Sequence, residues 1–399
     1  MIGLFGGTFD PFHEAHRILA EHAIKELALD RLIVMPAGRP PHKSRRINFS
    51  AFRFEMTRLG LEGIGSADLS DLEIREDRLS YTYDTVLGLK EQYPGEKITL
   101  ITGSDTLFQI DSWYRPLDLL QEAELAVALR GQEDLERALV RARHVEEILK
   151  GKVTLFPMPR MEVSSSMIRD RLEQKESIKG LCPKKVESFI EACRFYDFHA
   201  ELEAFSDEDW LQLLDAERFA WPYYSQPRRL HAASVALYAA RLARILGADA
   251  REAALLGLLH DVAKELPLEE QRALASRYLP GDEGACQLSA SAALCHGPAS
   301  ASLAMEAGII GRKSMKAIAF HSTAAPGMDR LGEILFLADK ISYDRDFPRL
   351  DRIRDLAESG KVKEAVVLCL EEVFMALEES GEAAHPVSRK AYRHYLDRL

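Results

Sequence analysis

Residues 255–266 read LLGLLHDVAKEL, so His260 and Asp261 stand side by side inside a leucine-rich run. A desolvated carboxylate is costly unless something pairs with it. Adjacent helical residues point about 100° apart, so both polar groups would not share one apolar stripe by accident. Metal coordination satisfies both. Four more candidates sit in similarly apolar helical settings: His231 in RRLHAASVALY, His296 in ALCHGPASAS, His321 in AIAFHST and Asp339 in ILFLADKIS. One such histidine alone is more often a hydrogen-bonded core residue than a ligand. The order H…HD…H…H…D supplies four imidazoles and two carboxylates, which suits two first-row metal ions, iron or manganese, with an aspartate able to bridge them. Cys295 beside His296 reads as packing.

A second constellation opens the chain. GLFGGTFDPFHEAHR begins as a strand, breaks at Gly6-Gly7 and offers His13 and His16 where a helix starts. Glycines let backbone approach a ligand, and N–H groups at a helix start favour phosphate. Three-residue spacing puts both imidazoles on one face, where they can donate to the same phosphoryl group. HEAH is one residue too short for a metalloprotease HExxH. Two solvated histidines are the weaker reading directly behind a Gly-Gly turn.

The elements that must position these groups differ between the two halves. Up to about residue 190, the runs IGLFG (2–6), RLIVMPA (31–37), KITLITG (97–103), ELAVALR (124–130) and KVTLFPM (152–158) alternate with amphipathic stretches, the pattern of a parallel α/β sheet. Beyond residue 207, alanine- and leucine-rich helical segments replace them. The expected domains are therefore a Rossmann-like α/β unit over 1–196 and an all-α unit over 207–399, joined within the acidic stretch 197–210. A chain of 399 residues has length for both cores. Its net charge of −11 argues against a non-specific nucleic-acid binder, although local Arg, Lys and His clusters can still hold anions. The five cysteines form no C-x-x-C pair, and neither a signal peptide nor a membrane-length apolar run is seen, so a cytoplasmic protein is expected. Oligomeric state is unspecified; a homo-oligomer is compatible with the sequence.

G-G-T-F-D-P-F-H-x-x-H resembles the H-x-G-H nucleotidyltransferases. Six further segments narrow the likeness to the nicotinate-nucleotide adenylyltransferase family: PAGRPPHK (36–43), Arg53 with Met56, SYTYDT (80–85), ITGSD (101–105) followed by Trp113, VSSSMIR (163–169) and LCPKKVESFI (181–190). The resemblance implies transfer of AMP from ATP to nicotinate mononucleotide. By it, His13, His16, Lys43 and Arg169 neutralise the triphosphate together with Mg²⁺. Gly6, Gly7, Thr8, Phe9, Asp10, Thr82 and Asp105 line the substrates, although Asp10 and Asp105 also read as turn formers. Ser165 and Ser166 open a helix N-terminus suited to phosphate, and Trp113 offers a face to the pyridine ring or is a core tryptophan. Ala15 replaces the glycine usual between the histidines. Pantetheine-phosphate adenylyltransferase is the alternative for this half.

In the second half, HDVAK (260–264), CHGPASA (295–301), FHSTAAPG (320–327) and ADKISYDRDFP (338–348) resemble the HD-domain phosphohydrolases, in particular the symmetrical dinucleoside-tetraphosphatases. That branch usually has Glu-Pro before the arginine, where this chain has Tyr343-Asp344. The resemblance implies hydrolysis of diadenosine tetraphosphate to two ADP, with Asp261 and Lys264 catalytic and Arg345 on phosphate; surface solvation is the other reading of Lys264 and Arg345. A nucleotide-sensing module, or a phosphohydrolase of another nucleotide, is the alternative for this half.

Overall fold

The computed structural model describes residues 1–40, 46–129, 135–277 and 282–399. Runs rich in Ile, Leu and Val form one six-stranded sheet: β1 (Ile2–Gly7), β2 (Arg31–Pro36), β3 (Ala67–Leu69), β4 (Ile98–Gly103), β5 (Ala123–Leu129) and β6 (Val153–Pro157). Every pairing is parallel, with Leu4 opposite both Ile33 and Leu100. Such a sheet is covered on both faces, which is why its strands read as near-continuous apolar runs. Leu4, Ile33, Leu100, Leu125 and Val127 are all buried. β3, only three residues long and partly exposed, carries too little periodicity to be read from sequence.

The strand order is β3-β2-β1-β4-β5-β6. The chain winds outward from β1 to β3, then returns to the other side of β1 to make β4. Ligands of open parallel sheets bind beyond the strand ends at such a reversal. The loop after β1 and the Gly103-Ser104-Asp105 end of β4 meet that position.

Met1–Ala192 and Cys193–Leu399 form two compact units. The second unit is helical, so the α/β and all-α classes read from sequence are both present. Its longest helix, Gln226–Ile245, buries Ala232, Ala233, Ala236, Ala239 and Ala240. Small side chains let the helix Ala250–Leu259 lie close against it: a Cβ on Gly257 would sit 2.5 Å from the Ala236 Cα. The acidic stretch 197–210 is folded, as a 3₁₀ turn (Phe195–Phe198), a short helix (His199–Glu203) and the start of the helix Asp207–Ala220. Among the described residues, no helix is long and apolar enough to cross a membrane.

Candidate functional site

The loop after β1 is clamped from several sides. Arg53, fully buried in the helix Ser50–Leu61, donates to the Thr8 carbonyl at 3.1 Å and to the Asn48 carbonyl at 2.9 Å. Asn48 donates backbone and side-chain N–H groups to the Asp10 carboxylate at 3.1 and 2.8 Å. Arg169 Nη1 donates to the Asp10 carbonyl at 2.5 Å, and Ser165 Oγ to the Pro11 carbonyl at 3.0 Å. These bonds give Asp10 a structural role: the residue is 1 % exposed and its carboxylate accepts from Asn48. Phe9, at φ 52°, is likewise buried. Its ring packs on Phe5, Phe12 and His16 with centroids 5.2, 5.5 and 5.0 Å away. A Cβ on Gly7 would lie 2.8 Å from that ring, whereas one on Gly6 would meet open space. Gly6 is thus where backbone can be approached.

His13 caps the helix Glu14–Glu26, and its ring stacks on His16 at 3.6 Å. The His13 backbone N–H donates to His16 Nδ1 at 3.2 Å. That bond fixes the tautomer: in the neutral ring the proton sits on Nε2. Ala15 is buried in the same turn. The serine capping the helix Ser165–Glu173 is Ser164, which accepts from the Met167 N–H at 3.2 Å, while Ser166 Oγ lies 3.1 Å from Ser164 Oγ. Thr82 begins the helix Thr82–Gln92, Asp105 is exposed in the helix Ser104–Gln109, and Trp113 is half-buried against the sheet core. Tyr81 and Tyr114, next to Thr82 and Trp113 in sequence, stack at 4.4 Å and add an aromatic wall that motif reading passed over. Ser80 Oγ accepts the Gly38 and Arg39 N–H groups, both at 3.0 Å, and so anchors the start of the following loop. Lys43 lies outside the described residues.

In the helical unit, the six residues picked from sequence converge. His260 and Asp261 do not lie within a helix, as their leucine-rich context suggests. The helix Ala250–Leu259 ends just before them, and the chain turns so that both point inward. His231 projects from Gln226–Ile245, His296 begins His296–Glu306, His321 follows the short helix Met315–Ala319, and Asp339 lies in Arg330–Ile341. All six are buried. His231 Nε2 is 3.0 Å from Asp339 Oδ1, and His296 and His321 Nε2 are each 3.3 Å from Asp261 Oδ1. Two overlapping triads, His231–His260–Asp339 and His260–Asp261–His321, each bring one ligand atom per residue within 4.8 Å of the others. His296 adjoins the second without belonging to it.

Four cations surround the two carboxylates. Arg228 Nη1 donates to Asp261 at 2.6 Å, Lys340 Nζ to Asp339 at 2.7 Å and Arg345 Nη2 to Asp339 at 3.0 Å. Lys264 Nζ lies 3.0 Å from His296 Nε2. Arg228 and Lys340 are not singled out from sequence, and Asp344 is met there only as a departure from the Glu-Pro of the branch this half resembles. Arg228 was findable, because it precedes His231 by three residues on one helix. The donor set suits a cation. Burial pushes His260 down to about 4 and His296 to about 2, leaving both neutral with lone pairs available. Burial opposes ionisation of Asp261 and Asp339, but a hydrogen bond from His321 at Asp261, and Lys340 with the His231 bond at Asp339, hold both well below the usual carboxylate range. Among the described residues His260 Nε2 has no hydrogen-bond partner, and it lies 3.7 and 3.8 Å from Asp261 and Asp339 oxygens. A buried nitrogen facing two carboxylates is the arrangement a divalent ion resolves.

His231 behaves differently. Burial pulls it down, yet hydrogen bonds to Asp339 and Asp344 overcome that and hold it up at about 9 against an ordinary 6.5. The folded pKa is the raised one, so this contribution to metal-free stability is complete below about 6.5 and is lost as pH rises through about 9. The unfolding temperature of the metal-free second unit is expected to fall across that window. The stabilisation produced by added Mn²⁺ is expected to grow across it, because the metal competes with a proton for Nε2. Calorimetric scans at pH 6, 7.5 and 9, with chelator or with Mn²⁺, measure both trends.

Residues 4–171 match the cytidylyltransferase-like family and residues 228–344 the HD domain. A probable nicotinate-nucleotide adenylyltransferase of Carboxydothermus hydrogenoformans is 35% identical over 195 residues, covering 49% of this chain and 97% of the relative. One from Desulfitobacterium hafniense is 36% identical over 197 residues, covering 49% and 95%. Among solved structures, one named as a predicted HD superfamily hydrolase involved in NAD metabolism, from Clostridium acetobutylicum, is 28% identical and covers 46% of this chain and 97% of that one, with a TM-score of 0.43.

Proposed function

Over its N-terminal half the chain belongs to the nicotinate-nucleotide adenylyltransferase family, and its C-terminal half carries an HD domain; on that premise we propose that it is a fusion of two enzymes acting on phosphate-linked adenosine. The first transfers AMP from ATP to nicotinate mononucleotide. A phosphate oxygen of the mononucleotide attacks the α-phosphorus, the α–β anhydride breaks, and pyrophosphate leaves with deamido-NAD as product. This chemistry needs positioning and charge stabilisation more than covalent help. His13 and His16 at the mouth of β1, with Lys43, supply donors and charge. Arg169 and Ser165 act through the loop they hold, by way of the Asp10 and Pro11 carbonyls. Mg²⁺, entering with ATP, would share the negative charge.

The second enzyme hydrolyses diadenosine tetraphosphate: one water adds across the central phosphoanhydride and two ADP result. His231, His260, Asp261, His321 and Asp339, with His296 adjoining, would hold two first-row ions, iron or manganese. Such ions, when bound, lower the pKa of water and neutralise phosphate charge. Arg228, Lys264, Lys340 and Arg345 lie around the carboxylates and their imidazoles and would accept the polyphosphate. The observation that carries this reading is the buried donor cluster, in which His260 Nε2 faces two carboxylates without a hydrogen bond.

The test supplies anaerobically purified protein with Fe²⁺ or Mn²⁺, adds diadenosine tetraphosphate and separates the products by anion exchange. ADP as sole product is expected. ATP plus AMP would mean asymmetric cleavage. No turnover with metal bound would point to another nucleotide or to a sensing module.

A further inference from the structure

Each of the four histidines in the helical site has its Nδ1 engaged, but not by the same kind of group. His260 Nδ1 meets the Gly257 carbonyl at 2.7 Å, His296 Nδ1 the Ala293 carbonyl at 3.1 Å and His321 Nδ1 the Ile318 carbonyl at 2.7 Å. All three partners are the backbone three residues earlier. These three histidines lie at a helix end or start, outside the interior of a helical ladder. His231 sits inside the helix Gln226–Ile245, where the preceding turn is committed to the helical ladder. Its Nδ1 instead meets Asp344 Oδ2 at 2.7 Å, a residue 113 positions away.

Asp344 is itself held. Ser342 Oγ, from a fully buried residue, donates to Asp344 Oδ1 at 2.7 Å. The neighbouring Tyr343 ring stacks on Phe198 at 3.9 Å and meets Tyr238 edge-on at 4.9 Å. Local backbone and aromatic packing therefore aim one carboxylate at one imidazole.

We propose that Asp344 is a positioning residue for the metal centre: it fixes His231 with Nδ1–H toward itself and Nε2 toward Asp339, and so makes the His231–His260–Asp339 triad hold its ion more tightly than backbone carbonyls alone would. The inference rests on the metal-binding reading of the HD half. A carboxylate behind a ligating imidazole raises its basicity and locks its ring, and losing such a partner typically costs about 10–100-fold in metal affinity. The other triad contains no histidine with a carboxylate behind it, so the two ions would differ in affinity for a reason built into the fold. The role assigned to Asp344 is orientation, through the His231 ring.

The test titrates the full-length metal-free protein with Mn²⁺, reading free Mn²⁺ by electron paramagnetic resonance, for wild type, Asp344→Asn, Asp344→Ala and Ser342→Ala. Two sites are expected in wild type. In Asp344→Ala one of them should weaken by about 10–100-fold while the other is unchanged. Asp344→Asn, which keeps the shape and an acceptor oxygen but not the charge, should fall between, and Ser342→Ala should show a smaller loss at the same site. Circular dichroism checks that each variant is folded, and the isosteric Asn variant keeps the comparison decisive if the alanine variant is not. Wild-type affinities retained at both sites in Asp344→Ala and Asp344→Asn would overturn the inference alone. A wild type that binds no Mn²⁺ would overturn both the inference and the metal-binding reading beneath it.

Discussion

Replacing Asp261 with alanine is expected to cut diadenosine tetraphosphate hydrolysis by roughly 10³-fold or more, the scale seen when an essential catalytic group is removed, while adenylyl transfer stays within about twofold of wild type. The expectation follows from position. Asp261 is 4 % exposed, and its oxygens face His296 and His321 at 3.3 Å, His260 at 3.7 Å and Arg228 at 2.6 Å. Without it, three imidazoles and a guanidinium are left around a space with no anion, and the second triad loses its only carboxylate. Metal content by mass spectrometry should fall from two ions per chain toward one. Asp261→Asn keeps the shape and should lose nearly as much activity, because the charge is what the site needs. The double variant His260→Ala, Asp261→Ala should be no worse than the single if both act on one centre. Retained hydrolysis in Asp261→Ala, assayed with product identity on the same samples, would remove the hydrolase reading of this half.

What could be read from the sequence was what is local. Gly6-Gly7 followed by His13 and His16 is one strand, one turn and one helix start, and its tautomer-fixing bond spans only three residues. Five of the six strands coincide with aliphatic runs, but β3 is three residues of the polar stretch SADLS at the sheet edge, and nothing in its pattern marks it. The long-range bonds were invisible. Asp10 looks like a ligand contact in its motif, and only the fold brings Asn48 onto its carboxylate and Arg169 onto its carbonyl, 38 and 159 residues away. In the helical half, buried polar residues announced themselves by contrast with the leucines around them. That contrast picked out six residues that the fold brings together but misplaced His260 and Asp261 inside a helix, since an apolar run does not say where the helix stops. Asp344 shows the limit most clearly, lying in DRDFP, a stretch polar enough to be ordinary surface. Its meaning comes from a histidine 113 residues earlier.

His16→Ala is expected to lower kcat for adenylyl transfer by on the order of 10²–10³-fold, with the KM for ATP moved only a few-fold. Because Nδ1 accepts the His13 N–H, the neutral ring carries its single proton on Nε2, the atom that would donate to a phosphoryl oxygen. A donor aimed at charge that develops on the α-phosphoryl oxygens is worth more in the transition state than in the bound substrate, which is why kcat rather than KM should carry the loss. Alanine also empties an aromatic nest: the imidazole packs at 5.0 to 5.9 Å from Phe5, Phe9 and Phe12. A purely structural loss could therefore imitate a catalytic one. His16→Phe separates them, since it fills the nest and donates nothing. If the histidine acts as a donor, the phenylalanine variant, which gives up the cap bond from the His13 N–H, worth about 1 kcal/mol, but keeps the packing, should be more stable to heat than the alanine variant and still lose about as much kcat. If it serves only as packing, phenylalanine should restore most of the activity. Hydrolysis by the HD half, followed in the same preparations, should be unchanged in both variants, which ties the loss to the nucleotidyltransferase site rather than to the chain as a whole.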